Sequence, residues 1–327
     1  MAEEPADRHD PEGPMAYAGD YHAPVLCKTA VERLVKNVDG LYVDGTLGGG
    51  GHSSALLDRL SPAGRVIALD RDQEAIDWST RRLADALKAG RFTAVRSNFV
   101  EVESALENLG ISLVDGLLLD LGVSSRQVDS ADRGFSFRFD AELDMRMDRS
   151  AGSSARDLLN QLDESDLSRL LHQFGEEPRA RRIARAIVHA RPLNSTSDLA
   201  DIVRECVPRT DETKSLARVF QAIRIAVNDE LGALRMVLEA ATRVVRPGGR
   251  LVVISYHSLE DRLVKRFLRS GNFDGKVERD LYGNTLSTWT PVDRSAVKPD
   301  AGEIELNPRA RSARLRVGER SDLDPPV

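Results

Sequence analysis

Five glycines fall within residues 45–51, four of them consecutive, between the apolar segment Leu41–Asp44 and a helical segment expected over 52–60. Ordering so many glycines is entropically costly, and packing alone does not account for that cost. The arrangement reads as a tight turn from a buried strand into a helix, with bare backbone that a ligand can approach and amides free to donate to it. The apolar runs Val66–Leu69 and Leu117–Leu119 lack polar alternation. Such runs belong to strands covered on both faces by crossover helices. Strands are therefore predicted at 41–44, 66–70, 92–96 and 114–120, with helices over 52–60, 75–87 and 102–109 between them. The fold class is α/β, a Rossmann-like doubly wound sheet.

That rhythm stops near residue 130. Up to 215 there are only short helical patterns, over 155–162, 166–173 and 179–189. An amphipathic helix over 219–245 then leads through Pro247-Gly248-Gly249 to a strand over 251–255. A further helix over 259–268 begins with Ser258 and Asp261 in the form of a capping box. The expected organisation is a leader over 1–18, a discontinuous sheet domain over 19–130 and 216–317, a helical insert over 131–215 and a frayed tail over 318–327. The last strand is placed at 313–317, and 281–297 has no clear assignment.

Composition removes several classes. With 41% apolar and 30% charged residues the chain is a soluble globular protein. Two cysteines, Cys27 and Cys206, cannot build a zinc ribbon or a disulfide scaffold, and six scattered histidines form no metal motif. No apolar run reaches the roughly 18–20 residues that cross a bilayer, and the acidic start MAEEPADRHDPEGPM is unlike a secretory signal, so a cytoplasmic location without a membrane partner is expected. The net charge of −6 gives no global attraction to nucleic acid. Cations nevertheless gather at Arg179, Arg181, Arg182, Arg185 and Arg191, and again at Arg309, Arg311, Arg314, Arg316 and Arg320.

Asp44 ends the first strand, and Asp70 ends the second, 19 residues after Gly51. That interval suits a carboxylate on a ribose diol. A nucleoside-containing cofactor follows. The loop lacks the clean GxGxxG of a dinucleotide site, and His52-Ser53 stand where an ATP loop would carry Gly-Lys-Ser/Thr. S-adenosylmethionine needs neither signature, and the Pro-Gly-Gly-Arg turn before the fifth strand looks like that of many methyltransferases using it.

The fourth strand delivers Asp120, Gly122, Ser124 and Ser125 to the carboxyl rim of the sheet, where reacting groups sit. Asp120 can reach a cofactor or a substrate amine, or cap the next turn. Beyond it, Asp129, Arg133, Phe135, Phe137, Asp144, Arg146 and Asp148 form a polar-aromatic stretch that suits either a core or base stacking with phosphate contact. His22 and His257 lie near strand ends, His257 as a base or as a packed histidine.

Taken in order, Tyr21–Val25, the Gly45–His52 loop, DLGVSS at 120–125, RGFSF at 133–137, LDMRMD at 143–148, Glu176–Ile187, FQAIRI and VNDEL within 220–231, YHSLEDR at 256–262 and NPRARSARLR at 307–316 resemble the bacterial ribosomal RNA small subunit methyltransferase H family. The resemblance covers about residues 20–317. It implies methyl transfer from S-adenosylmethionine to the exocyclic N4 of a cytosine at the decoding centre of 16S ribosomal RNA, free or in the small subunit. It also implies cofactor contacts at Gly50, Gly51, His52, Asp70, Phe99, Asp120 and Gln127, with Asp120 catalytic as well. Arg126 and Gly49 depart from the family pattern, which bears on fine positioning. A homodimer is compatible with the sequence and not fixed by it. The rival readings are the same chemistry on DNA or protein, a nucleotide-dependent oxidoreductase, and a non-catalytic RNA-binding platform. The first lacks the (Asp/Asn/Ser)-Pro-Pro-(Tyr/Phe) segment usual in amino-methylating DNA enzymes.

Overall fold

The computed structural model describes residues 17, 24–122, 133–149 and 152–323. It divides into two compact units, residues 1–122 with 234–327, and residues 123–233. The first begins with α1 (Cys27–Leu34), β1 (Leu41–Asp44), α2 (Gly51–Arg59), β2 (Arg65–Asp70), α3 (Gln73–Arg82), α4 (Ala84–Lys88), β3 (Phe92–Arg96), α5 (Val102–Asn108) and β4 (Val114–Asp120). Next come α6 (Ala155–Gln161), α7 (Glu164–Gly175), α8 (Ala180–Ala190), α9 (Thr196–Cys206) and α10 (Glu212–Asn228) of the second unit. The remainder is α11 (Glu230–Val244), β5 (Val245–Ser255), α12 (Ser258–Ser270), β6 (Trp289–Pro291), α13 (Ala301–Leu306) and β7 (Arg314–Arg320).

The seven strands lie in the order β3-β2-β1-β4-β5-β7-β6. The first five are parallel, while β7 runs antiparallel to both β5 and β6. Each strand feeds two cores at once. Tyr42, Val66, Leu118 and Val252 pack on one face, and Val43, Ile67, Leu117 and Val253 on the other. This is why the strands show no polar alternation. Strand order reverses at β1, whose neighbours are β2 and β4, so the crevice of an open sheet lies beyond the end of β1.

The second unit has its own core, built from Leu167, Leu171, Ile183, Ile187, Leu199, Val203, Val219 and Ile223. Ser154, Asp163 and Ser195 cap α6, α7 and α9 through their side chains. Such caps satisfy otherwise unpaired amides at a helix start, each contributing about 1 kcal/mol.

Several boundaries differ from those expected. The helical unit runs on to residue 233 instead of ending at 215, because α10 packs its Leu216, Val219 and Ile223 into that unit's core. The long helix expected over 219–245 is two helices, since Asp229 adopts a left-handed conformation (φ 46°) and ends α10. The Pro247-Gly-Gly turn lies inside β5, where the register slips between Val114 and Gly116 of β4. The stretch 281–297 supplies edge strand β6, anchored by fully buried Trp289. Residues 318–320 are no frayed tail: Arg320 is buried, donating to the carbonyls of Thr242 and Thr288.

Candidate active site

Three strands end in carboxylates at the crevice: Asp44 on β1, Asp70 on β2 and Asp120 on β4. The glycine loop is tied to all three. The Asp44 carboxylate accepts from Ser53 Oγ at 2.7 Å and from the Thr46 amide at 3.1 Å. Asp70 Oδ2 accepts from the Gly48 amide at 2.9 Å, while its Oδ1 accepts from Asp72 N at 2.9 Å. Thr46 Oγ1 accepts from the Asp120 amide at 2.7 Å. From α3, Ser79 Oγ donates to Gly48 O at 2.8 Å and Arg82 Nη1 to Gly49 O at 3.0 Å. The loop is preorganised.

Two of its glycines answer to packing, which the sequence did not reveal. Gly50 has φ +76° and a Cβ there would meet Ser79 Oγ at 2.9 Å, while a Cβ on Gly51 would meet Pro24 at 2.8 Å. Gly48 is different: with φ +48°, its Cβ position meets only Thr46 O at 3.9 Å, which leaves the surface open to an approaching ligand.

Asp120 sits in a polar cluster with its side chain 17% exposed. Tyr256 Oη donates to Asp120 Oδ1 at 2.8 Å, and His52 Nδ1 lies 3.8 Å from Asp120 Oδ2. His52 Nε2 faces Val25 O at 3.1 Å. A carbonyl can only accept, so Nε2 carries the proton and Nδ1 turns its lone pair or a second proton toward Asp120. Burial raises the Asp120 carboxyl to about 6, against the opposing pull of His52 and the Tyr256 hydroxyl. The same burial, with Asp120 beside it, keeps the Tyr256 phenol far above its usual range and so firmly protonated. Asp70 is also raised by burial, which the amides of Asp72 and Gly48 partly offset.

The donor set discriminates between cofactors. A pyrophosphate would meet three carboxylates at the strand ends, a strongly repulsive arrangement, whereas hydroxyl donors and positive charge would be welcomed. These strand ends therefore suit the ribose diol and sulfonium of S-adenosylmethionine better than the pyrophosphate of a dinucleotide.

Residues 20–321 match the sequence pattern of the MraW methylase family. The chain belongs to that family. Among curated relatives, a protein named ribosomal RNA small subunit methyltransferase H from Cytophaga hutchinsonii is 48% identical over 303 residues, covering 92% of this chain and 99% of its own. One of the same name from Flavobacterium johnsoniae is 46% identical over 304 residues, covering 92% of this chain and 98% of its own. Of solved structures, an rRNA methylase from Streptococcus thermophilus shares 12% identity at a TM-score of 0.38, covering 90% of this chain and 93% of that one. As a member of this methylase family, the chain is a methyltransferase using S-adenosylmethionine, on the Rossmann-like sheet expected.

The structure gathers Gly50, Gly51, His52, Asp70 and Asp120 around the crevice, and places Phe99 just after β3, its Cβ 3.5 Å from where a Cβ on Gly45 would stand. Gln127, together with Ser124, Ser125, Arg126, Asp129 and His22, lies outside the described residues. Tyr256 was missed. Its one sequence signal is its position, directly after the fifth strand and next to His257. In fact His257 caps α12 in a reciprocal box with Glu260, one residue earlier than the expected Ser258–Asp261 box. Asp261 is engaged elsewhere, by Arg314 and Arg316.

Packing also accounts for part of the polar-aromatic stretch. Phe137 meets Phe220 edge-on at 5.5 Å between ring centres, within the helical core. Asp144 is buried and accepts from Arg146 Nε at 2.7 Å and Arg149 Nε at 2.9 Å. Arg133 Nη2 donates to the carbonyls of Arg146 and Met147. These bonds fold LDMRMD and RGFSF into one knot, so the base-stacking reading gives way to a structural one for Phe137 and Asp144.

Proposed function

We propose that this chain transfers a methyl group from S-adenosylmethionine to the exocyclic N4 of a decoding-centre cytosine in 16S ribosomal RNA, acting in the cytoplasm. The observation that carries the catalytic half is the Asp120 cluster at the rim of β4, beside the glycine loop. The RNA target rests on the curated relatives' names and on the motif resemblance. Bound S-adenosylmethionine supplies a methyl already activated on a sulfonium sulfur.

What the chain must do is hold a weak nucleophile in line. The cytosine N4 lone pair is delocalised into the ring, and an ionised Asp120 accepting from N4–H localises it toward the methyl. Tyr256 fixes Oδ1 by donating to it, which leaves Oδ2 for the amine. After transfer the cationic N4 gives up its proton to Asp120 Oδ2 or to solvent, so no strong base is required. Gly122, with φ +116° and a Cβ position 3.2 Å from the Tyr256 ring, keeps side-chain bulk out of this corner.

Asp70 is assigned to the ribose diol. Asp70→Ala is expected to weaken S-adenosylmethionine binding by about 1.5–3 kcal/mol, the scale of a lost charge-assisted hydrogen bond. Calorimetric affinity equal to wild type would remove the assignment.

On the helical unit, α8 buries Ile183, Ala184 and Ile187 and exposes Arg181, Arg182 and Arg185. Among the described residues the Arg185 side chain makes only a long contact to Glu164, at 3.4 Å, whereas Arg179 is paired with Asp211 at 3.0 Å. We assign Arg181 and Arg185 to RNA phosphates. Replacing both by Gln should reduce the slope of log affinity against log salt by about 0.7–0.9 per lost contact, with cofactor affinity untouched. An unchanged slope in a folded variant means α8 is a solvated face. The test of the whole reading is a gene deletion followed by mass spectrometry of 16S RNA digests: one cytosine should lose its N4 methyl and regain it on complementation.

A further inference from the structure

Three of the five C-terminal arginines are engaged within the fold, which leaves Arg309 and Arg311 as the exposed members of that cluster. Arg314 and Arg316 are engaged by Asp261, at 3.0 and 2.6 Å, and Arg320 is buried. Cations of the sheet unit also gather on α12. Its inner face buries Glu260, Asp261, Leu263, Val264, Phe267 and Leu268. Its exposed residues after Ser258 are Arg262, Lys265, Arg266 and Arg269. Their spacing of three, four and seven puts all four on one face, about 10 Å long at 1.5 Å per residue.

Ordinary solvated helices of this unit look different. The exposed side of α3 mixes Glu74 and Asp77 with Arg81, and that of α11 mixes Arg235 with Glu239. In α12 both acids point inward. Among the described residues, no carboxylate lies within ion-pair distance of Lys265, Arg266 or Arg269. Four like charges at helical spacing repel one another and cost stability, which a face serving only solubility has no reason to bear. The turn after α12 adds a fifth cation. Asn272 Nδ2 donates to Lys276 O at 2.8 Å, and the Gly275 Cβ position is 3.3 Å from Arg266 Cγ, so exposed Lys276 is held against this end. Asp274 and Glu278 are the exposed acids of the same turn.

Placement ties the stripe to the reaction. α12 starts directly after β5, two residues beyond Tyr256, whose hydroxyl holds Asp120. Arg262 is nearest to that rim, and the stripe leads away from it.

We propose that the outer face of α12, through Lys265, Arg266 and Arg269, is a phosphate-binding track that holds the RNA strand flanking the target nucleotide. This deepens the ribosomal RNA reading above and rests on it. It adds an electrostatic anchor on the sheet unit, separate from α8.

The test uses the full chain with Lys265, Arg266 and Arg269 all replaced by Gln, alongside a control carrying Lys265→Arg, Arg266→Lys and Arg269→Lys. Naked 16S RNA and purified small subunits from a deletion strain are the two probes. The Gln variant should lower the salt slope for naked RNA by about 2, from three contacts at roughly 0.7 each. Its KM for RNA should rise at least tenfold at physiological salt, with kcat at saturating RNA and cofactor affinity near wild type and a thermal midpoint no lower than wild type, since like-charge repulsion on the face is relieved; the charge-conserving control should behave as wild type. A slope and KM equal to wild type overturn the track. Weakened binding to subunits with unchanged binding to naked RNA also overturns it, assigning the face to a ribosomal protein. If wild type itself methylates neither probe, the ribosomal reading fails first, and that outcome is distinguishable because it precedes any substitution.

Discussion

Replacing Asp120 with Asn should slow methyl transfer at saturating substrates by about 10²-fold or more, while much of the affinity for S-adenosylmethionine is retained. The amide keeps the shape and can still accept from Tyr256, but it lacks the charge that draws N4–H into line. Single-turnover transfer at the wild-type rate would remove the catalytic role.

The same residue makes a stability prediction of opposite sign. In the folded chain its carboxyl is raised by burial to about 6, above the 3.8 of an unperturbed Asp. The folded state therefore binds more protons than the unfolded state between those values, and ionisation costs stability as pH rises through that window. Above about pH 6 the full cost applies, roughly 2–3 kcal/mol at 1.36 kcal/mol per pH unit. Asp120→Asn should accordingly raise the melting temperature of the ligand-free protein at pH 7.5, and the gain should vanish below about pH 4. Activity should show the complementary limb: kcat/KM for S-adenosylmethionine in wild type should fall with unit slope as pH drops below about 6. A variant at once slower and more stable is the signature of a carboxylate kept for chemistry.

Much of this was legible in the sequence, for reasons particular to certain segments. Doubly buried strands such as Val114–Asp120 announce themselves as apolar runs ending in Asp, and the glycine loop marks the only turn of its kind. Strand-end positions alone therefore mark Asp44, Asp70 and Asp120 as rim residues. What stayed hidden depends on contacts distant in sequence. Tyr256 acquires meaning only because β5 lies beside β4, bringing its hydroxyl to a carboxylate 136 residues earlier. Glu303, whose carboxylate accepts from the Leu26 amide at 2.6 Å, spans 277 residues and carries no local signal. The helix break at Asp229 was invisible because the apolar stripe continues through it. The engagement of Arg314, Arg316 and Arg320 was hidden because a charge run says nothing of which members have partners.

Those partners set the second large effect. Asp261, 6% exposed, is clasped by Arg316 Nε at 2.6 Å and Nη2 at 3.2 Å, and by Arg314 Nη1 at 3.0 Å. The clasp joins α12 to β7, and thus the motif at 256–262 to the one at 307–316. Burial would raise the Asp261 carboxyl, but the two guanidiniums outweigh it and hold the group below the usual carboxylate range. Asp261→Ala removes one partner and strands Arg316, whose side chain is only 13% exposed. Breaking a buried pair in this way costs about 3 kcal/mol or more. With the folded-state value depressed, the contribution is complete above the unfolded Asp value near 3.8 and is lost as pH falls through the lower folded one. Denaturant titration should therefore show wild type well above Asp261→Asn at pH 7, with the gap closing below about pH 4. Because α12 carries both the proposed phosphate track and the rim next to Tyr256, a surviving Asp261→Ala protein should lose RNA affinity and turnover together. Stability equal to wild type at pH 7 would mean that the desolvation of the clasp cancels its attraction, and the spacing of the two motifs would need another cause.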